Sequence, residues 1–411
     1  MRIRRKSLNS VFAAFLSGVI AACQPVTSSQ VLDARLRSAT SSYGYQILYK
    51  FPAGGADGAT PLAGVIDVNG VLYGTTSTGG DTGCASGGCG TVFSLDSTGK
   101  ETLLHEFRGG SDGEFPAANL IYANGTLYGT TGGSYVGGGT NNCGTIFAIK
   151  PNGSHYRVIY AFAGGSDGAY PLGNVIKARG QLFGTTYEGG QYGDGTVFEF
   201  ELRKHKERIL HSFAAGTDGA KPMSGLIDVA GILYGTTSQG GVANSWHNAG
   251  TVFEVGKQGD VELIFAFDLT DGEAPYAPLL AVGNMLYGTT SLGGTDNWGT
   301  VFSLSVDGTD EQVLHNFNQY EDGWLPQTGL VAMNGLLYGT TNRGGFYDDG
   351  TVYSIDPNTE SEQLLHSFGN YRDGAYPNGL ISSEGILYGT SQSDSGSGSD
   401  GSVWQLGRSV F

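Results

Sequence analysis

Basic residues are scarce in this chain, with 22 Lys and Arg against 38 Asp and Glu and a formal charge of −16. That balance argues against a nucleic-acid partner, because there is no cationic surface to release the counterions that drive such binding. The one basic cluster, Arg203-Lys204-His205-Lys206-Glu207-Arg208, reads as a solvated turn. Cysteine is scarcer, four in 411 residues, and the histidines show no zinc-ligand spacing. The most apolar stretch near the N-terminus, residues 11–22, is too short to span a bilayer. No stretch carries a convincing helical pattern. No phosphate loop, nucleophile–base pairing or catalytic dyad stands out, so no catalytic residue, metal or cofactor is assigned.

Glycine, by contrast, is abundant: 70 residues, roughly twice the usual share. The glycines recur at fixed places. Leu72-Tyr73-Gly74-Thr75-Thr76 returns at 127–131, 233–237, 286–290 and 337–341, as Leu-Phe-Gly-Thr-Thr at 182–186 and as Leu-Tyr-Gly-Thr-Ser at 387–391. Successive aromatic positions of this motif lie 50 to 55 residues apart, a period that signals a solenoid, an array or a propeller.

Each unit reads as four short strands. In the second copy an apolar run ends at Asn124-Gly125, a strong two-residue hairpin signal, and residues 126–131 follow as the next strand. A Gly-rich loop leads to Gly144-Thr145-Ile146-Phe147, then a tight turn at 151–153 and an alternating strand over 156–162. Asp-Gly-x-x-Pro closes the unit, with Pro61, Pro116, Pro171, Pro222, Pro275, Pro326 and Pro377 as its copies. Four strands at this period predict an all-β fold, a seven-bladed β-propeller over residues 45–411. The end copies match the middle ones, unlike the capping repeats of an open solenoid. The chain starts with a fourth-strand sequence, residues 46–51, and ends with a third-strand one, 402–406. Ring closure by pairing these two is therefore expected. The first-to-second and third-to-fourth turns share one face and are tight, while the long, varied loops share the other. Variable loops on a rigid frame are where function concentrates, so the loop-rich face is the candidate.

Residues 1–22 have the build of a secretory leader, with Arg2, Arg4, Arg5 and Lys6 before an Ala-rich apolar stretch. They end in Ile20-Ala21-Ala22-Cys23, which resembles a bacterial lipobox. That resemblance implies lipidation of Cys23, and Gln24 after it resembles the outer-membrane choice. Residues 23–44 read as a polar tether. The expected location is a bacterial outer membrane, periplasmic or surface-facing, with the membrane met only through the anchor, and the expected state is a monomer.

The combination of LYGTT, Gly-Gly, GTVF and L-x-x-F with Asp-Gly-x-x-Pro resembles the exported "GloVer" tandem repeats of the choice-of-anchor type, and covers 45–406. The resemblance implies an exported, anchored repeat protein with no established activity. The order of elements is also similar to kelch repeats, with a Phe in place of the later kelch Trp.

Cys84 and Cys89 bracket a Gly-rich loop and are the first choice for a disulfide, with Cys89 to Cys143 as the alternative. Seven Asp residues precede the repeat glycine (Asp57, Asp112, Asp167, Asp218, Asp271, Asp322, Asp373) and read as turn caps rather than a cation ring. His105, His211, His315 and His366 share one fourth-strand position with Tyr49, Tyr160 and Phe265, which points to packing. Residues 394–401 alternate oxygen-bearing side chains but lack the closing Glu of a calcium loop. The candidate binding face carries Tyr192, Trp246, Trp298, Trp324, Tyr347 and Tyr376, rings suited to stacking on sugars or anchoring a protein. The expectation is a non-catalytic scaffold for carbohydrate or another envelope protein. The alternatives are a periplasmic lyase or hydrolase with its site on the same face, or a structural surface protein.

Overall fold

The computed structural model describes residues 43–80, 83–84, 87–133, 142–241, 248–319, 322–369, 373–393 and 400–408. Seven four-stranded antiparallel sheets are built from them, as the repeat predicts. Blade 1 comprises Ile66–Val68, Val71–Thr76, Thr91–Leu95 and Glu101–Glu106, and blades 2 to 6 repeat this order. The first strands of neighbouring blades touch, which places them around the axis and the fourth strands at the rim. No α-helix occurs among the described residues.

The ring closes as the register of the repeat requires. Blade 7 takes Ala375–Ser383, Ile386–Ser393 and Ser402–Arg408 from the C-terminal end and Tyr43–Lys50 from the N-terminal end. The two termini pair antiparallel, Tyr43 opposite Arg408 and Lys50 opposite Ser402. The closing strand starts two residues earlier than expected, inside the segment read as tether.

Packing explains the repeated words. The core lies between blades, not at the axis: one layer joins Val92 and Phe107 of blade 1 to Leu127 and Phe147 of blade 2. In each such layer a fourth-strand Phe meets a third-strand aromatic ring of the next blade. Phe107–Phe147, Phe162–Phe198, Phe213–Phe253 and Phe51–Phe93 all have centroids 5.2 Å apart, edge to face. At the last seam Trp404 takes the place of the Phe, 5.4 Å from Phe368. Such pairs contribute about 0.5–1.5 kcal/mol each beyond area burial. The third-strand ring lies over the glycine of LYGTT: a Cβ on Gly129 would come 2.4 Å from Phe147 Cζ. Any side chain there would evict the ring.

The two threonines of the motif divide their work. The second stays within its blade, Thr76 Oγ1 lying 2.8 Å from Thr91 Oγ1, and the same bond recurs in blades 2 to 6. The first reaches the next blade: Thr185 Oγ1 donates to the Ser224 carbonyl at 2.8 Å, and Thr390 Oγ1 to that of Ala63 at 2.9 Å. In blade 7 serines replace the inner pair, and Ser391 Oγ and Ser402 Oγ are buried without a hydrogen-bond partner.

Candidate binding face

The loops between blades and between second and third strands share one face. The residue before each repeat proline is left-handed in all seven blades: Thr60, Phe115, Tyr170, Lys221, Ala274, Leu325 and Tyr376, with φ between 53° and 60°. A residue before proline ordinarily prefers extended backbone, so this conformation carries strain. Hydrogen bonds hold it in place. Tyr170 N donates to the Cys143 carbonyl of the preceding blade at 2.7 Å, and its own carbonyl accepts from Tyr187 N at 2.9 Å. The side chains at this position differ between blades and form a rigid rim.

Inside the rim, at the axis, lies a cavity of about 300 Å³ lined from all seven blades. No Asp, Glu, Lys, Arg or His lines it. On the side of blades 5 to 7 the rim continues into a strip of contacts. Trp298 and Trp324 meet edge to face, 5.1 Å between centroids. Trp324 Nε1 donates to Asp348 Oδ1 at 3.0 Å, and its backbone bridges to that of Arg343. The Arg343 guanidinium stacks on Tyr376 at 4.3 Å and donates to its hydroxyl at 3.3 Å.

The structure thus joins three of the expected aromatic residues, Trp298, Trp324 and Tyr376, through Arg343 and Asp348. Tyr347, 47% exposed, packs edge to face on Phe346 beside Asp348. Tyr192, 57% exposed, stands apart on blade 3. Trp246 and Cys23 lie outside the described residues, as do residues 394–399 of the candidate calcium loop. Cys84 and Cys89 are joined as a disulfide, with Cys143 free. Arg343 and Asp348 escaped sequence reasoning because charged loop residues are ordinary until a ring is found against them.

The rim of the ring holds a second set of contacts that residue spacing contained. His105 Nε2 lies 3.2 Å from Asp112, His211 3.0 Å from Asp218, His315 2.6 Å from Asp322 and His366 3.1 Å from Asp373. Tyr160 donates to Asp167 at 2.5 Å, and Tyr49 donates to Asp57. The common signal is a histidine or tyrosine about seven residues before the Asp. Asp112, Asp167, Asp218, Asp322 and Asp373 also accept a backbone N–H, as from Ala163 to Asp167 at 2.6 Å and Ala214 to Asp218 at 2.9 Å, which makes them turn caps. The imidazoles stack across seams, His105 on Tyr156 at 3.5 Å and His366 on Tyr45 at 4.1 Å. Burial lowers the His105 pKa, opposed by Asp112.

At some seams a fourth-strand Glu of the next blade faces the capping Asp. Burial, reinforced by Asp57, pushes Glu101 up to about 7. Burial and then Asp167 push Glu207 up to about 7, with a hydrogen bond from Tyr160 opposing. Glu311 is raised too, by burial first and then Asp271 and Asp268. The acidic excess of the chain is in part folded into these seams.

Ring and face together define a repeat-built β-propeller with one loop-rich, copy-specific face. The chain belongs to the Gloeobacter/Verrucomicrobia repeat family, whose sequence model matches residues 32–247 and 243–409. None of the curated proteins matches it in sequence. Among solved structures it is similar in fold to the tricorn protease, with a TM-score of 0.44 and 9% identity over 81% of this chain. The chain spans only a third of that protein, 33% of its length. TolB from Acinetobacter baumannii gives 0.39 and 11% identity, covering 68% of this chain and 60% of TolB. A chain of a nidogen/laminin complex gives 0.38 and 17%, covering 61% and 83%. Likeness at this level bears on fold alone.

Proposed function

We propose that this protein is a non-catalytic binding scaffold of the bacterial envelope, anchored by a lipid on Cys23, whose loop-rich face takes carbohydrate. One observation carries the reading. Trp298, Trp324, Arg343, Asp348 and Tyr376 stand at repeat positions whose side chains change from blade to blade, and they come from consecutive blades and form one chain of contacts. Rings offer apolar faces to sugar C–H groups, and the carboxylate and guanidinium offer acceptors and donors to hydroxyls. The left-handed rim supports the reading, since a pre-ordered site loses less entropy on binding. The His–Asp pairs do not favour a hydrolase, because they recur in four blades and serve as turn caps and stacking partners.

A glycan array probed with the mature chain tests it. Binding of oligosaccharides that disappears in Trp298→Ala/Trp324→Ala, with the fold intact by circular dichroism, supports the proposal. No glycan bound, with an envelope protein captured through the same strip, replaces the sugar with a protein partner. Lipid attachment is checked separately: palmitate incorporated in cells into the Cys23→Ser variant as into the parent would remove the anchor.

A further inference from the structure

The axial cavity differs from the rest of the ring in one respect. Elsewhere inside the ring, equivalent positions carry equivalent residues, as the aromatic pairs and threonine pairs do, because each blade solves the same packing problem. At the position just after the repeat proline this uniformity stops. Blades 1 to 4 supply Leu62, Ala117, Leu172 and Met223, an apolar arc. Blades 5 to 7 supply Tyr276, Gln327 and Asn378, an arc of hydroxyl and carboxamides. The rest of the lining is mixed: Asn119, Asn174 and Ser224 stand in blades 2 to 4, and Leu279, Leu330 and Leu380 in blades 5 to 7.

The polar arc adjoins the aromatic strip. Trp324 lies three residues before Gln327 and Tyr376 two before Asn378. Asn378 Nδ2 donates to the Tyr376 and Pro61 carbonyls, both at 3.2 Å, and its Oδ1 accepts from Gln392 at 3.2 Å, so Asn378 is fixed in orientation. Beside the apolar arc, two residues before Met223, Lys221 is held at the rim by Glu188 at 3.3 Å and Asp194 at 3.9 Å. It is already neutralised, and no cation lines the cavity. A carboxylate or phosphate entering it would be desolvated with no counter-ion, which strongly disfavours such a ligand. A neutral ring that offers both C–H faces and hydroxyls matches a lining that mixes apolar groups with uncharged polar ones. At about 300 Å³ the cavity is at the small end of ligand sites, room for one such unit rather than a chain.

We infer that the axial cavity is a subsite for a single uncharged sugar unit, continuous with the strip that holds the units beyond it. This rests on the carbohydrate reading and sharpens it: the ligand is a neutral glycan presented by one end or branch, and uronates are refused. Gln327 and Met223 are specificity-determining residues, the first in the polar arc and exposed, the second in the apolar arc and part-buried.

Isothermal titration of the mature chain with neutral hexasaccharides (gluco-, xylo- and manno-configured) and with oligogalacturonate is the test. Neutral binding is expected, with oligogalacturonate at least about tenfold weaker. Met223→Trp fills the cavity and should weaken neutral binding about tenfold or more. Gln327→Lys supplies the missing cation at an exposed position and should bring oligogalacturonate within about threefold of the neutral ligand. Melting temperatures close to the parent's establish that both variants fold. Neutral binding unchanged in Met223→Trp, or parental binding of oligogalacturonate equal to neutral, overturns the subsite while leaving carbohydrate binding on the strip in place. Absence of binding to every sugar overturns the broader reading and the subsite with it.

Discussion

Replacing Glu207 by Gln should stabilise this protein by an amount that grows from about pH 4.5 and levels off above about 7. Glu207 is the second residue of the fourth strand of blade 3, Lys206–Ser212, and faces Asp167, the turn cap of the blade before it. Its Oε1 is buried without a hydrogen-bond partner. Burial first, and then the Asp167 charge, hold the carboxyl near 7, against an ordinary value of 4.5. Between those two values the folded protein holds a proton that the unfolded chain has released. The group's stabilising contribution is therefore complete below about 4.5 and is lost as pH rises through about 7. A shift of this size corresponds to an upper bound of about 3 kcal/mol, and half-exposure to solvent reduces it to roughly 1–2 kcal/mol. Glutamine keeps the shape and cannot ionise. Urea denaturation of parent and Glu207→Gln from pH 4.5 to 8.5 should give coincident curves at the acid end. At pH 8 the variant should be more stable by about 1–2 kcal/mol. Other groups titrate in this range, His105 with the opposite sign, and the difference between the two proteins removes them. A variant less stable than the parent at pH 8, or an equal gain at every pH, would refute the reasoning.

Other outcomes follow from the packing. Deleting residues 43–50 removes the strand that pairs with Ser402–Arg408 and should abolish a single cooperative thermal transition; an unchanged melt would contradict the closure. Gly235→Ala sets a Cβ 2.6 Å from Phe253 Cζ and should cost about 1–3 kcal/mol in chemical denaturation. Ser391→Thr with Ser402→Thr restores in blade 7 the hydroxyl pair of the other six and should gain about 1 kcal/mol, seen as a raised melting temperature.

Much of the binding face was legible only in part. Trp298, Trp324 and Tyr376 could be named because large rings in variable loops break the repeat. Their partners Arg343 and Asp348 could not, since the residue type at those two repeat positions varies, Leu292 and Asn297 standing there one blade earlier. The His–Asp pairs were written plainly in a seven-residue spacing, and were read as packing alone because histidine alternates with tyrosine and phenylalanine there. Tyrosine can donate to the same carboxylate, so the exchange conserves the bond as well as the ring.

By itself the sequence determined the ring: seven copies of one four-strand unit, out of phase with the chain ends, leave few other ways to pair every edge. It also determined the tight turns where Asn-Gly stands. The turns at Arg179, Ala230 and Glu384 adopt the same left-handed conformation, with φ of 51°, 53° and 51°, against their own preference. There the register of the paired strands decides. Tertiary structure alone decided which loop residues meet, how the acidic excess is stored across seams, and that the axial cavity is lined without a charged side chain. The reason is physical. Strand, turn and core choices repeat with the local chain, and a period reveals them. Contacts between loops of different blades depend on the closed ring bringing together residues that no period relates.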